Sequence, residues 1–305
     1  MYNAEQKTRF VKDFTASESM RAVALSIFNG FGPYEEAWHA DLCTRSAEDI
    51  SLVLDHFRWR SAQSAKGPMY ILREYAKWCL KHNIPGACDG VLQADYDGMD
   101  SVRRSTVKNP RHLAAYLDIL FEPEERKTAE LNYRGFFWLA YAGMNLDDIF
   151  LVREKHMDFR NMLVLFNGTE YPIYQQGMNT LRSCTELASY QFTTYAYSKV
   201  RPRAPGDYIL RGYTQPVPDR KKMMNKLSIY TRRACDAGKT DLRLNYGDVW
   251  TSGMFYRKLE AELAGEPLSF DAELDKIYGD ENSTAKKKKR TVFMNDYSRW
   301  KQTLL

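Results

Sequence analysis

Histidine is scarce in this chain, and past residue 156 there is none: the five are His39, His56, His82, His112 and His156. Whatever chemistry a histidine would supply is missing from that half. Cysteine is almost as sparse. Cys43, Cys79, Cys88, Cys184 and Cys235 are odd in number and form no CxxC pair, which argues against a disulfide framework and a zinc knuckle and leaves reduced thiols. No apolar run approaches the roughly 20 residues needed to span a bilayer, and Met1 to Asp13 is polar where a signal peptide needs an apolar core. No membrane role is expected, and the reading is a bacterial cytosolic protein. GxxxxGK[ST], GxGxxG and HExxH are all absent, so neither cofactor nor metal is expected. Asp147 and Asp148 do not change this, because adjacent carboxylates on a helix point in different directions.

What is present suits two soluble domains. The 305 residues are 44% hydrophobic and 27% charged, enough apolar material for two cores. The net charge of +5 is unevenly spread. Residues 1–102 hold 11 Lys+Arg against 14 Asp+Glu, leaving 33 against 25 beyond them, so the basic surface is C-terminal.

Apolar residues recur at three- and four-residue spacing over Ser17–Phe28, Tyr34–Asp41, Ala47–Trp59 and Gln63–His82, which predicts a small helical bundle. From Asn83 to Asn109 the periodicity lapses, as in a linker, giving domains at 1–102 and 103–305. Helices are expected at Pro110–Phe121, with Glu122–Glu125 opening the next, then at Tyr133–Val152, Met178–Ser198, Lys221–Ala237 and Gly253–Leu263. Between them, Asn167-Gly168 joins two strands, Met162–Phe166 and Thr169–Tyr174, in a hairpin whose turn residues tolerate positive φ. The fold class is mainly α with a small β-hairpin, and no internal repeat is visible.

Several stretches stand out: Tyr2-Asn3 through Arg9-Phe10, Asp41-Leu42, and Tyr75-Ala-Lys-Trp78-Cys79 in the first domain. In the second they are Tyr133 through Met144, the hairpin, and Ser252 through Arg257. Together they resemble the tyrosine recombinase, or phage integrase, family, and within it a degenerate branch of SPβ-type phage repressors of lytic growth. The resemblance implies a helical core-binding domain followed by a recombinase catalytic-like domain, closing around duplex DNA from opposite sides.

Active members cut one strand with a tyrosine while fixed cations stabilise a phosphate that gathers negative charge, so the corresponding positions decide what the resemblance means for chemistry. Where the first arginine is implied, after Gly143-Met144, stands Asn145; the hairpin turn Asn167-Gly168-Thr169-Glu170 has no lysine. Gly247 and Trp250 align with the implied histidine and second arginine. Tyr297 lies where a nucleophile would be, although the chain has 20 tyrosines to supply one by chance.

Candidate phosphate contacts are cations in exposed-looking segments, each with a solvated surface as the plain alternative. In the first domain they are Arg58, Arg60 and Lys66 near a helix start, and in the linker Arg103, Arg104 and Lys108. Lys199, Arg201, Arg203 and Arg211 sit in a Pro-punctuated stretch; Arg220, Lys221, Lys222, Lys226, Arg232 and Arg233 bracket one helix. The unbroken run Lys286, Lys287, Lys288, Lys289 and Arg290 looks like a flexible arm.

Taken together, these features predict a sequence-specific double-stranded DNA-binding protein on a recombinase scaffold that no longer cuts, acting as a phage or prophage transcriptional repressor. Its expected partners are double-stranded DNA, a small protein or peptide antirepressor, and further copies of itself on DNA. Two alternatives stay open: an active integrase using Tyr297, and an accessory protein-interaction factor.

Overall fold

The computed structural model describes residues 1–57, 62–96, 99–121, 130–193, 198–212, 214–266, 268–271, 274–275 and 284–304. These residues are mainly helical with two small antiparallel sheets, in keeping with the periodicity, and they divide into two compact units, Met1–Val102 and Arg103–Leu305. No described helix is long and apolar enough to cross a membrane.

Unit 1 contains α1 (Ala4–Phe14), α2 (Glu18–Trp38), α3 (Ala47–His56), α4 (Ala62–Lys81) and α5 (Gly90–Gln93), and α6 (Met99–Ser105) lies across the boundary. Ser17 and Ser46 cap α2 and α3 by accepting the amides of Met20 and Asp49. Two expected helices, ending and starting near Gly30–Tyr34, are in fact the single helix α2, which runs through Pro33. Pro33 costs one backbone donor, but it and Asn29 are exposed, so water can serve the orphaned carbonyl. The glycines there serve packing: a Cβ on Gly30 would meet the Phe57 ring at 2.7 Å. Helix α1 is an addition to the predicted set, and its buried face, Lys7, Phe10 and Val11, joins Phe28, Phe31, Leu72 and Tyr75 in the core. Each such fully buried apolar side chain contributes about 1.5–3 kcal/mol.

Three buried groups in this unit are charged, Lys7, Glu35 and Asp41. The Lys7 ammonium, fully buried, lies 2.5 Å from the Glu35 carboxylate and 3.5 Å from Asp41, and donates to the Tyr2 carbonyl at 2.9 Å. Asp41 accepts from Asn3, Tyr75 and the Cys43 amide. The motifs that carried the resemblance in this half thus converge on one polar knot.

Unit 2 is built around α8 (Glu130–Tyr141), buried from Gly135 to Tyr141. Packed about it are α7 (Pro110–Leu120), α10 (Gln175–Glu186), α11 (Arg220–Asp236) and α12 (Tyr246–Leu263). The helix expected over Tyr133–Val152 breaks at Gly143, whose φ of 96° suits glycine, and resumes as the single turn α9 (Leu146–Ile149). The hairpin forms with β2 (Leu163–Phe166) and β3 (Thr169–Pro172) about Asn167 and Gly168, at φ 48° and 76°, and a short β1 (Met157–Asp158) adds a third strand. The helix expected over Met178–Ser198 stops at Glu186. The chain beyond it, rich in aromatic and β-branched residues, pairs instead as β4 (Ser189–Thr193) with β5 (Ser198–Pro202). Helix α12 starts seven residues earlier than expected, at a capping box in which Asn245 and Asp248 exchange bonds at 3.1 and 2.9 Å. The basic run 286–290 is not a loose arm: it lies on α13 (Thr284–Gln302). Phe293, Tyr297 and Trp300 of α13 pack on Phe255 of α12.

Candidate nucleic-acid interface

Helix α11 presents the largest ordered set of candidate cations. Asp219 caps it by accepting the Lys222 amide at 2.9 Å. Met223, Leu227, Thr231 and Ala234 form its buried stripe at spacings of four, four and three, and Arg220, Lys221, Lys222, Lys226, Arg232 and Arg233 are exposed. At 3.6 residues per turn, Lys222, Lys226 and Arg233 fall on one flank of the buried stripe, with Lys221 and Arg232 on the other. The helical period alone separates these two rows; the spacing from Lys226 to Arg232 taken by itself does not. Arg220 is drawn aside into an ion pair with Asp147 of α9.

The other candidates are placed unevenly. Lys66 is exposed on the second turn of α4, Arg103 is exposed and Arg104 half-buried at the end of α6, and Lys108 is exposed just ahead of α7. Lys199 and Arg201 lie on β5, where Arg201 is exposed. Lys286 to Arg290 fall on the first turns of α13, with Lys287 and Arg290 exposed. Arg58, Arg60 and Glu122–Glu125 lie outside the described residues.

Arg203 is a correction. It is buried at 8% exposure, and its guanidinium donates to the carbonyls of Cys184, Leu187 and Ile209. Arg211 does the same for Thr185 and Gly206. Both arginines therefore satisfy orphan carbonyls around the C-terminus of α10, where a helix dipole favours cations, and Arg203 has no face to offer a phosphate. Loop arginines look alike in sequence whether they turn in or out.

Of the positions that the resemblance sets against recombinase chemistry, Trp250 lies in a hydrogen-bonded seam between α8 and α12 that also holds one cation, Arg257. The carbonyls at the end of α8 each meet a donor from α12: Tyr141 accepts from Arg257 at 2.5 Å, Gly143 from the Trp250 indole at 3.0 Å, and Met144 from the Tyr246 hydroxyl at 2.9 Å. Asn145 is the residue ahead of α9, Gly247 is exposed on the first turn of α12, and Trp250 is buried against Phe293. The seam is tight, since a Cβ on Gly253 would fall 1.8 Å from the Tyr141 carbonyl oxygen.

Tyr297 is held apart from this seam's carbonyls. It is buried at 4% exposure, donates to Glu262 at 2.8 Å, and has the ammonium groups of Lys258 and Lys301 over its ring. Burial first, and the neighbouring Glu262 carboxylate second, push its phenol well above the ordinary tyrosine range. Burial also opposes charge on Glu262, but the donors Tyr297, Lys301 and Lys258 outweigh it and hold that carboxyl below its usual value. Bonded to Glu262 of α12, the phenol lies among the rings of Phe255 and Trp300.

Residues 1–81 match the family model described as the MrpR N-terminal core-binding domain, a tyrosine recombinase-type domain. No curated protein matches the chain. Among solved structures, XerA recombinase is similar over 98% of both chains at 11% identity and a TM-score of 0.44. The Tn1549 transposon integrase in complex with a circular intermediate DNA aligns over 98% of this chain and 99% of its own, at 10% identity and a TM-score of 0.40. A lambda integrase dimer bound to a COC′ core site covers 93% of this chain and 98% of its own, at 13% identity and a TM-score of 0.34. At these scores the likenesses assign no function.

Proposed function

We propose that this chain, with a core-binding domain at its N-terminus, is a sequence-specific double-stranded DNA-binding protein that does not cleave its target, acting as a phage or prophage transcriptional repressor. The observation that carries the reading is α11, a capped and well-packed helix with five exposed cations in two rows beside its buried stripe. Cations fixed on a rigid element neutralise phosphates without first having to be ordered, which favours affinity for a polyanion. The absence of cleavage rests on Asn145, Gly247 and Trp250, none of them charged, and on the protonated, buried phenol of Tyr297. Phosphate contacts alone confer no sequence preference, so the base-reading side chains are a separate matter.

The test is capture of fragmented phage and host genomic DNA by the purified chain across a salt series, with denaturing gels run for covalent adducts. Recovery of a recurrent motif without adducts is expected. Adducts abolished by Tyr297→Phe would establish an integrase, and no enrichment at any salt would leave a protein-interaction factor.

A further inference from the structure

We infer that Lys108, Arg111 and Arg243, with Arg104 beside them, form a second and separate contact for the phosphate backbone of duplex DNA. This rests on the DNA-binding reading above and adds two arginines, Arg111 and Arg243, that the sequence gives no reason to group, since they are far apart along the chain.

Several cross-links in the fold join the backbone segments that carry them. The Arg243 amide donates to the Arg104 carbonyl at 3.4 Å, joining the segment before α12 to the end of α6. The next amide, of Leu244, donates to the Tyr116 hydroxyl on α7 at 3.3 Å. On the other side, the Val107 amide donates to Ser252 of α12 at 3.0 Å, and the Val107 carbonyl accepts from the Trp300 indole of α13 at 3.2 Å. The Lys108 amide donates to His112 Nδ1 at 3.2 Å, and burial together with Lys108 lowers the pKa of that imidazole, so it stays an acceptor at neutral pH. Several elements therefore fix the backbone from which these cations project.

Lys108, Arg111 and Arg243 are exposed, and among the described residues none of them forms an ion pair. The exposed carboxylate closest in sequence, Asp241, pairs with none of them. Lys108, Arg111 and Arg243, exposed and without a carboxylate partner among the described residues, favour an external polyanion. The geometry selects a duplex. Helix α7 packs on α11, with Phe121 against Tyr230 at 5.2 Å between ring centroids, and Tyr116 lies beside the Leu244 segment that follows α11. The cluster therefore lies toward the C-terminal end of α11, while Lys221 and Lys222 stand at its start. At 17 residues α11 is about 25 Å long, and that length corresponds to about seven base-pair steps of B-DNA. Two phosphate anchors so spaced can hold one duplex at two points.

The experiment uses the full chain, a random-sequence duplex and a salt series. For Arg111→Gln with Arg243→Gln, the slope of log affinity against log salt should become shallower by about 2, at about 0.9 per lost phosphate contact. Arg111→Lys with Arg243→Lys should restore the slope and serves as the folding control. An unchanged slope in the glutamine pair, alongside a reduced one in Lys222→Gln with Lys226→Gln, would overturn this inference and leave the DNA-binding reading intact. Failure of the lysine pair to restore the slope would also overturn it. If the unaltered chain binds no duplex at any salt, both readings fall.

Discussion

The indole of Trp250 donates to the carbonyl oxygen of Gly143 across 3.0 Å, where the recombinase resemblance implies a cation. A buried donor matched to a buried acceptor costs more to break than it contributes when formed, because the orphaned partner is left desolvated. Trp250→Ala should therefore destabilise the chain by about 3–5 kcal/mol through the cavity and the unpaired carbonyl together, read as the fall in urea midpoint. Trp250→Arg should not yield strand cleavage, since Asn145 and Gly247 are unchanged.

Gly253 cannot accept a side chain. Because a Cβ there would lie only 1.8 Å from the Tyr141 carbonyl oxygen, Gly253→Ala must push α12 off α8. A loss of about 3 kcal/mol or more is expected in chemical denaturation, and an unchanged midpoint would show that the two helices are less closely seated.

Arg203 and Arg201 should behave oppositely despite their proximity in sequence. Arg203→Ala strips donors from three carbonyls near the end of α10 and should lower the melting temperature, while leaving the salt slope of DNA binding as it was. Arg201→Ala should leave stability within about 0.5 kcal/mol, as expected of an exposed position. A thermal melt and a salt titration of each variant decide the matter.

The charged knot of unit 1 gives a pH signature. Burial raises the pKa of Glu35 above 4.5, while Lys7 pulls against that rise. A carboxyl whose folded-state pKa lies above its unfolded value contributes stability that is fully present below the unfolded value and is lost as pH rises through the folded one. The stability of the native chain minus that of Glu35→Gln should therefore fall as pH rises through that interval, in urea melts taken at successive pH values. Lys7→Met, which leaves two buried carboxylates facing each other, should cost about 3–5 kcal/mol at neutral pH.

Elements with a local cause were legible in the sequence. Asn167-Gly168 specifies its own turn through positive φ, and α3, α7 and α11 show their periodicity directly. Where the sequence misled, a distant contact outweighed a local signal. Gly30, Gly32 and Pro33 look like a helix end, yet Phe57 and the N-terminal residues pack on that stretch and the helix continues. In the segment 187–198 the helical period and strand-favouring residues compete, and pairing of Ser189–Thr193 with Ser198–Pro202 wins. Among the candidate site residues, charge was legible and direction was not: nothing near Arg203 in sequence states that three carbonyls await it, and nothing near Arg111 announces Arg243.

The buried stripe of α11 also sets where this gene can tolerate changes in length. Residues can be added or removed ahead of Asp219 without altering which side chains face inward, because the cap starts the helix afresh. One residue inserted between Met224 and Asn225 turns everything after it by about 100°, bringing Lys226 into the place of Leu227 and carrying the later cations away from their rows. Homologues that keep this helix should vary in length before it and hardly at all within it.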